Sequence, residues 1–211
     1  RLEGVILGSL GIIQSEKGQF EAAENLYKEA MSKLEEIGAR SVESVFLGNL
    51  ANLYFHHSYF EKARETYEAA NAMFEEADDK LNLAYFRAFY AALIAEENRI
   101  EEAQGLISYA DKALKEIGDD LGVVAVSVCE GMIYLARARL AMESGDIRVA
   151  AAHLQIVNDR IENVKKKGAV SELHPEGAPS LAEKSGDVRD GLRFLEASMF
   201  RYEKRFRIAS A

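Results

Sequence analysis

The sequence contains very little proline, since Pro175 and Pro179 are the only two in 211 residues. Proline interrupts helices because it lacks a backbone donor and clashes with the preceding turn. Everything before Pro175 can therefore form one helix after another. Cys129 is the only cysteine, so an internal disulfide is excluded. The apolar neighbours Val126 and Val128 predict that this thiol is buried, which fits a reducing cytoplasm.

The sequence also lacks a basic surface and a long apolar run. Its net charge of −9 argues against nucleic-acid binding, because phosphate contacts need clustered lysines and arginines. No uninterrupted apolar run reaches the roughly 18 residues that a membrane span requires, so we predict no membrane association. The chain begins at Arg1 rather than methionine, and we expect it to be a fragment of a longer protein.

The sequence repeats itself with a period of 40 residues, as the step from Ala23 to Ala63 shows (63 − 23 = 40). A fixed period in this range is typical of solenoids built from one supersecondary unit. The other matching positions are Leu10 with Leu50, Tyr27 with Tyr67, and Ala30 with Ala70, followed by a third copy containing Ala103, Ile107 and Ala110.

Each copy has the pattern of two helices. In the first copy, apolar residues recur at helical spacing, which is typical of helices with a buried face. These residues are Ile6, Leu7, Leu10 and Ile13 in the first helix and Phe20, Ala23, Tyr27, Ala30 and Leu34 in the second. We also predict that the apolar residue after each turn, Phe20 or Phe60, packs into the turn.

Turn residues separate the predicted helices at equivalent positions. Glycine and asparagine tolerate a positive φ angle, which a tight turn after a helix often requires. The aspartates Asp79 and Asp119 follow two of these turns and are predicted to cap the next helix. The predicted turn positions are Gly18, Ser58 and Asn98 within copies, and Gly38, Asp78 and Gly118 between them.

The fourth copy is longer than the others, because the step from Ala103 to Ala150 is 47 residues. Seven extra residues add about two helical turns and rotate the apolar face by only about 20°. We therefore predict an unusually long helix from about Val123 to Glu143. The array then spans 1–164, with copies at 1–38, 41–78, 81–118 and 121–164.

The period ends after the fourth copy. Both prolines fall in a predicted loop at 165–180, and a last helix is predicted over 181–208. Its apolar residues Leu192, Leu195 and Met199 form a narrow seam at steps of three and four. This helix either caps the end of the array or forms a homodimer through a coiled coil.

These motifs resemble the tetratricopeptide repeat (TPR) family. The second-helix pattern A-x3-F-x2-A of that family appears as Ala23-x3-Tyr27-x2-Ala30, and the first-helix pattern L-G-x2-Y begins with Leu10-Gly11. The period of 40 is similar to the long-repeat branch in kinesin light chains and bacterial multidomain regulators. The resemblance implies an all-α, right-handed superhelical solenoid of antiparallel helical hairpins.

The resemblance also implies a protein-binding function. Such solenoids bind a peptide or partner domain in a concave groove lined by the first helices, with no cofactor or metal. Amide side chains there can bond both donors and acceptors of a peptide backbone. The predicted groove residues are Ile12, Val45, Asn49, Asn52, Phe55, His56, Tyr85, Phe89, Met132 and Arg139.

We find no catalytic or nucleotide-binding motif in the sequence, and we predict that the chain is not an enzyme. Two functions remain. A binding and scaffolding module within a bacterial regulatory protein predicts an open, partly apolar groove. A structural spacer or self-association domain predicts that the last helix or another copy of the chain covers the groove.

Overall fold

The structure is a computed structural model, and it describes residues 1–166, 191–193 and 195–202. No strand occurs in these ranges, so the predicted all-α class is confirmed for the part of the chain described. The rest of the predicted loop and last helix lies outside the described residues. Residues 191–193 and 195–202 are helical and are called the C-terminal segment. The helices before it are α1 (Leu2–Glu16), α2 (Phe20–Glu35), α3 (Arg40–His56), α4 (Phe60–Glu76), α5 (Lys80–Glu96), α6 (Ile100–Ile117), α7 (Asp120–Glu143) and α8 (Ile147–Lys166).

The chain divides into two compact units, Arg1–Arg87 and Ala88–Ala211, and the boundary falls within α5. In the first unit, α1 packs against α2, α2 against α3, and α3 against α4. In the second unit, α6 packs against α7, and α7 against α8. Each unit is thus built from helices that contact their neighbours along the chain.

The turns have the left-handed backbone that the sequence predicts. Ser58, Asp78 and Asn98 have φ angles of 63°, 50° and 65°. Residues other than glycine seldom adopt such positive values. The four matching glycines also have positive φ angles, so the predicted turn positions are confirmed. These glycines are Gly18, Gly38, Gly118 and Gly145.

Aspartates cap three of the helices that follow these turns, and the sequence predicted two of these caps. The Asp119 carboxylate accepts a hydrogen bond of 3.1 Å from the Gly122 backbone nitrogen at the start of α7. The Asp79 carboxylate accepts one of 3.0 Å from the Asn82 nitrogen at the start of α5. Both contacts satisfy a backbone donor that has no partner within the helix, and both predicted caps are confirmed.

One packing contact recurs in the first unit at the 40-residue step. A Cβ atom added at Gly8 of α1 would lie 2.2 Å from the Phe46 ring of α3. A Cβ atom at Gly48 would lie 2.5 Å from the Phe86 ring of α5. Both rings are buried, and Phe86 also stacks on Phe74 with its centroid 5.4 Å away. Each glycine therefore forms a socket for an aromatic ring, and this contact joins successive copies.

The predicted apolar stripe of α1 is exposed. Ile6, Leu10 and Ile13 are 50%, 42% and 44% exposed, whereas Phe46 and Leu50, the counterparts of the first two, are buried. Phe46 packs against Gly8 of α1 and stacks on Tyr27 of α2, whereas no described element covers this face of α1. The expectation of a buried stripe was wrong for α1, because burial depends on a spatial neighbour that periodicity does not supply.

The turn-packing prediction also fails at Phe60, whose side chain is 37% exposed. The ring lies 6.2 Å from Phe55, centroid to centroid, at the surface rather than inside the turn. Phe60 is the first residue of α4. The position therefore contributes less to the core than its repeat pattern suggested.

The predicted long helix is present as α7, which has 24 residues. Of the described helices, α7 alone is long and apolar enough to cross a membrane by length and composition. However, 72% of its most apolar window is buried inside the protein, and Cys129 is among the buried residues. The apolar character of α7 is accounted for by its packing in the second unit.

Candidate functional site

Seven of the ten predicted groove residues belong to the first unit. Asn49, Asn52, Phe55 and Tyr85 are buried, with at most 4% of their surface exposed. The other three, Ile12, Val45 and His56, are half-buried. Partner contact by the seven residues stays a prediction, and the half-buried Ile12 and Val45 are the positions that a partner could reach without rearrangement.

Asn52 takes part in a buried polar contact that the sequence did not reveal. The Tyr67 hydroxyl of α4 donates a hydrogen bond of 2.5 Å to the Asn52 side-chain oxygen. The Asn52 side-chain nitrogen is also buried, and it has no acceptor among the described residues. A buried donor without an acceptor costs free energy, so Asn52 both supports the α3–α4 contact and retains an unused N–H group.

His56 lies at the C-terminal end of α3 and is uncharged near neutral pH. Burial, aided by the neighbouring His57, lowers its pKa to about 4. A neutral imidazole has one donor and one acceptor nitrogen, so it offers polar contacts without a charge. His56 therefore adds hydrogen-bonding capacity, rather than positive charge, to the predicted groove.

The three remaining groove residues belong to the second unit, and there the C-terminal segment covers them. Leu195 of this segment lies over Gly131 of α7, where an added Cβ atom would be 2.6 Å from Leu195 Cδ2. Gly191 lies against Val128 and Phe89, at 3.3 and 3.6 Å from an added Cβ atom, with Met132 at 4.0 Å. We call the surface formed by Phe89, Val128, Gly131 and Met132 the helix seat.

The C-terminal segment is amphipathic. Leu192, Leu195 and Met199 are buried, whereas Phe200 is 71% exposed. The seam identified in the sequence therefore faces the chain's own helix seat.

Arg139 is held at the edge of this region by its own chain. Its guanidinium donates to the Glu96 carboxylate at 2.7 Å and to the Asn98 side-chain oxygen at 2.7 Å. Burial acts to lower the pKa of Arg139, but Glu96 and the Tyr202 hydroxyl raise it overall. Arg139 is thus committed to contacts within the second unit, which its sequence position did not indicate.

No group of three His, Cys, Asp or Glu side chains within the described residues is placed to hold a metal ion. A cleft between α6, α7 and α8 carries two ion pairs, Asp111 with Lys115 at 2.6 Å and Glu130 with Arg160 at 2.6 Å. Partly exposed pairs of this kind are common on helix surfaces and contribute little stability.

Comparison with known proteins finds solved structures with a similar fold. No protein-family model matches the chain, and no curated protein shows significant similarity to it. The crystal structure of BtubC (BKLC) from P. vanneervenii is similar, with a TM-score of 0.53 at 20% sequence identity. The similarity covers 95% of this chain and 78% of that one. The chain therefore has a solenoid-like helical-repeat fold similar to that of BtubC.

Proposed function

We propose that this chain is a protein–protein interaction module, a right-handed solenoid of TPR-like antiparallel hairpins without a catalytic role. The observation that supports binding most directly is the helix seat. There, a glycine floor and apolar walls hold an amphipathic helical segment that is far along the chain from α7. A surface with this chemistry can bind a partner helix or peptide by the same contacts.

The first unit supports the proposal with polar groups on adjoining positions. The buried Asn52 N–H group has no acceptor among the described residues, and His56 is a neutral imidazole. The half-buried Val45 lies on the same helix, about two turns before Asn52 and three turns before His56. An extended peptide could accept a hydrogen bond from Asn52 after a small side-chain rearrangement, with Val45 supplying apolar contact.

The experiment tests whether the predicted groove of the first unit binds a partner. Affinity capture from the native cell would provide candidate partners, and each purified candidate would be titrated by calorimetry. Val45→Glu places a charge on the predicted groove, and we expect it to weaken binding about tenfold or more. Val149→Glu is the matched control, because Val149 is 42% exposed on α8 and outside the predicted groove. Equal affinities for wild type and Val45→Glu would refute this location.

A second candidate function, self-association, is favoured by the exposed face of α1. Leu2, Ile6, Leu10 and Ile13 form one apolar stripe along this helix, each at least 42% exposed. A second copy of the chain would bury such stripes against each other in a two-fold symmetric dimer. Sedimentation of wild type and of Ile6→Asp tests this function: a dimer that becomes monomeric supports it, and a monomeric wild type rejects it.

A further inference from the structure

The C-terminal segment and the helix seat fit each other as a ligand fits a site. Each side contributes a glycine at the closest approach: Gly131 beneath Leu195, and Gly191 against Val128 and Phe89. Glycines at a helix crossing let two backbones come closer than larger residues allow. The seat is therefore shaped for a helix with a small residue followed by leucine four positions later.

The segment is held mainly by its apolar face. Leu192, Leu195 and Met199 follow steps of three and four, so they occupy one stripe of a helix. The ion pair between Glu196 and Lys165, at 2.8 Å, joins side chains that are 38% and 49% exposed, so it contributes little. Because most helical stability in proteins comes from the packing of an amphipathic face, the segment depends on its contact with the helix seat.

We propose that the helix seat is a binding site for an amphipathic helix of a partner protein, and that the C-terminal segment occupies this site in competition with it. The inference rests on the proposed function and adds the class of partner: a helix with leucines at i and i+3 and a long apolar side chain at i+7. Because the segment belongs to the same chain, its effective concentration is high. A partner therefore binds weakly until the segment is released.

The test uses the full chain and a labelled peptide with the sequence of residues 188–205. Leu195→Asp removes the central apolar contact of the segment and should free the seat. Fluorescence anisotropy should show that this variant binds the peptide about tenfold more tightly than wild type, because the unoccupied state becomes more populated. Phe200→Asp is the matched control, since Phe200 is 71% exposed in the same segment, and its affinity should equal that of wild type.

Two further variants keep the result interpretable. Adding Gly131→Val to Leu195→Asp fills the socket and should abolish peptide binding. If Leu195→Asp loses helical circular dichroism, the milder Leu192→Ala with Met199→Ala replaces it, with the same expected increase. A folded variant that binds the peptide no better than wild type overturns the proposal, as does binding that Gly131→Val leaves unchanged. Neither result affects the Val45→Glu test, which concerns the first unit.

Discussion

The glycine socket at Gly48 allows the packing of the first unit to be tested with one methyl group. In Gly48→Ala, the added Cβ atom would lie 2.5 to 2.7 Å from three atoms of the Phe86 ring. Carbon atoms in contact prefer about 3.5–4.0 Å, so the ring would have to withdraw by about 1 Å. Phe86 is 2% exposed and stacks on Phe74 at 5.4 Å, which leaves it little room to move.

The expected magnitude follows from two opposing effects. Overpacking a core typically costs about 1–3 kcal/mol. Replacing glycine by alanine within a helix stabilises by up to about 1 kcal/mol. We therefore expect Gly48→Ala to lower the free energy of unfolding by about 1–2 kcal/mol, as measured by urea unfolding followed by circular dichroism.

The control substitution is chemically identical. Gly105 lies on an exposed face of α6, and an added Cβ atom there meets nothing within 4 Å. Gly105→Ala should therefore raise the free energy of unfolding of its own unit by about 0.5–1 kcal/mol. Combining Gly48→Ala with Phe86→Leu isolates the contact, because the shorter side chain should remove most of the cost. If Gly48→Ala stabilises as Gly105→Ala does, Phe86 does not pack on Gly48 and the repeat contact is wrong.

Two further predictions concern polar groups of the first unit. Tyr67→Phe removes the donor to the Asn52 side-chain oxygen and should cost about 1–2 kcal/mol, measured by urea unfolding; an unchanged midpoint would show that the bond is absent. Folding lowers the pKa of His56 from its usual value of about 6.5 to about 4. Between these two values, the unfolded chain binds a proton at His56 that the folded chain does not bind. The free energy of unfolding should therefore fall as the pH is lowered. Between pH 7 and pH 5 we expect a loss of about 1–2 kcal/mol, which His56→Gln should reduce. His57→Gln removes only the smaller contribution of His57 to this shift, so it should reduce the pH dependence less than His56→Gln does, and equal slopes in both variants would contradict the assignment.

Local backbone requirements could be predicted from the sequence because they depend on few residues. The left-handed turn at Ser58 and the cap at Asp119 each follow from one residue and its position in the repeat. Because these positions recur with the repeat, the same turn and cap requirements could be predicted at the equivalent positions of other copies. The helix-rich class and the length of α7 were predictable for the same reason, since helical spacing is a local pattern.

The burial of side chains and the identity of their hydrogen-bond partners were less predictable, because both depend on which helices pack together. Ile6 has the spacing of a core residue but is 50% exposed, since no described element covers it. Asn52 was predicted from its helix face alone, and its bond to Tyr67 requires knowing where α4 packs. The seam through Leu195 was visible in the sequence, but its seat on Gly131 was not. Gly131, a glycine in the middle of a long apolar helix, was the one sequence feature that pointed to this contact.

The length of α7 has a consequence for how such a chain can change over evolutionary time. It has 24 residues where α5 has 17, a difference of seven. Seven residues rotate a helix through almost two complete turns, so buried positions from Leu121 to Ala141 stay on compatible faces. An insertion of two residues would instead rotate every later position by about 200° and turn the apolar face outward. Insertions and deletions in these helices should therefore be tolerated at about three, four, seven or eleven residues, so that gene length varies in discrete steps.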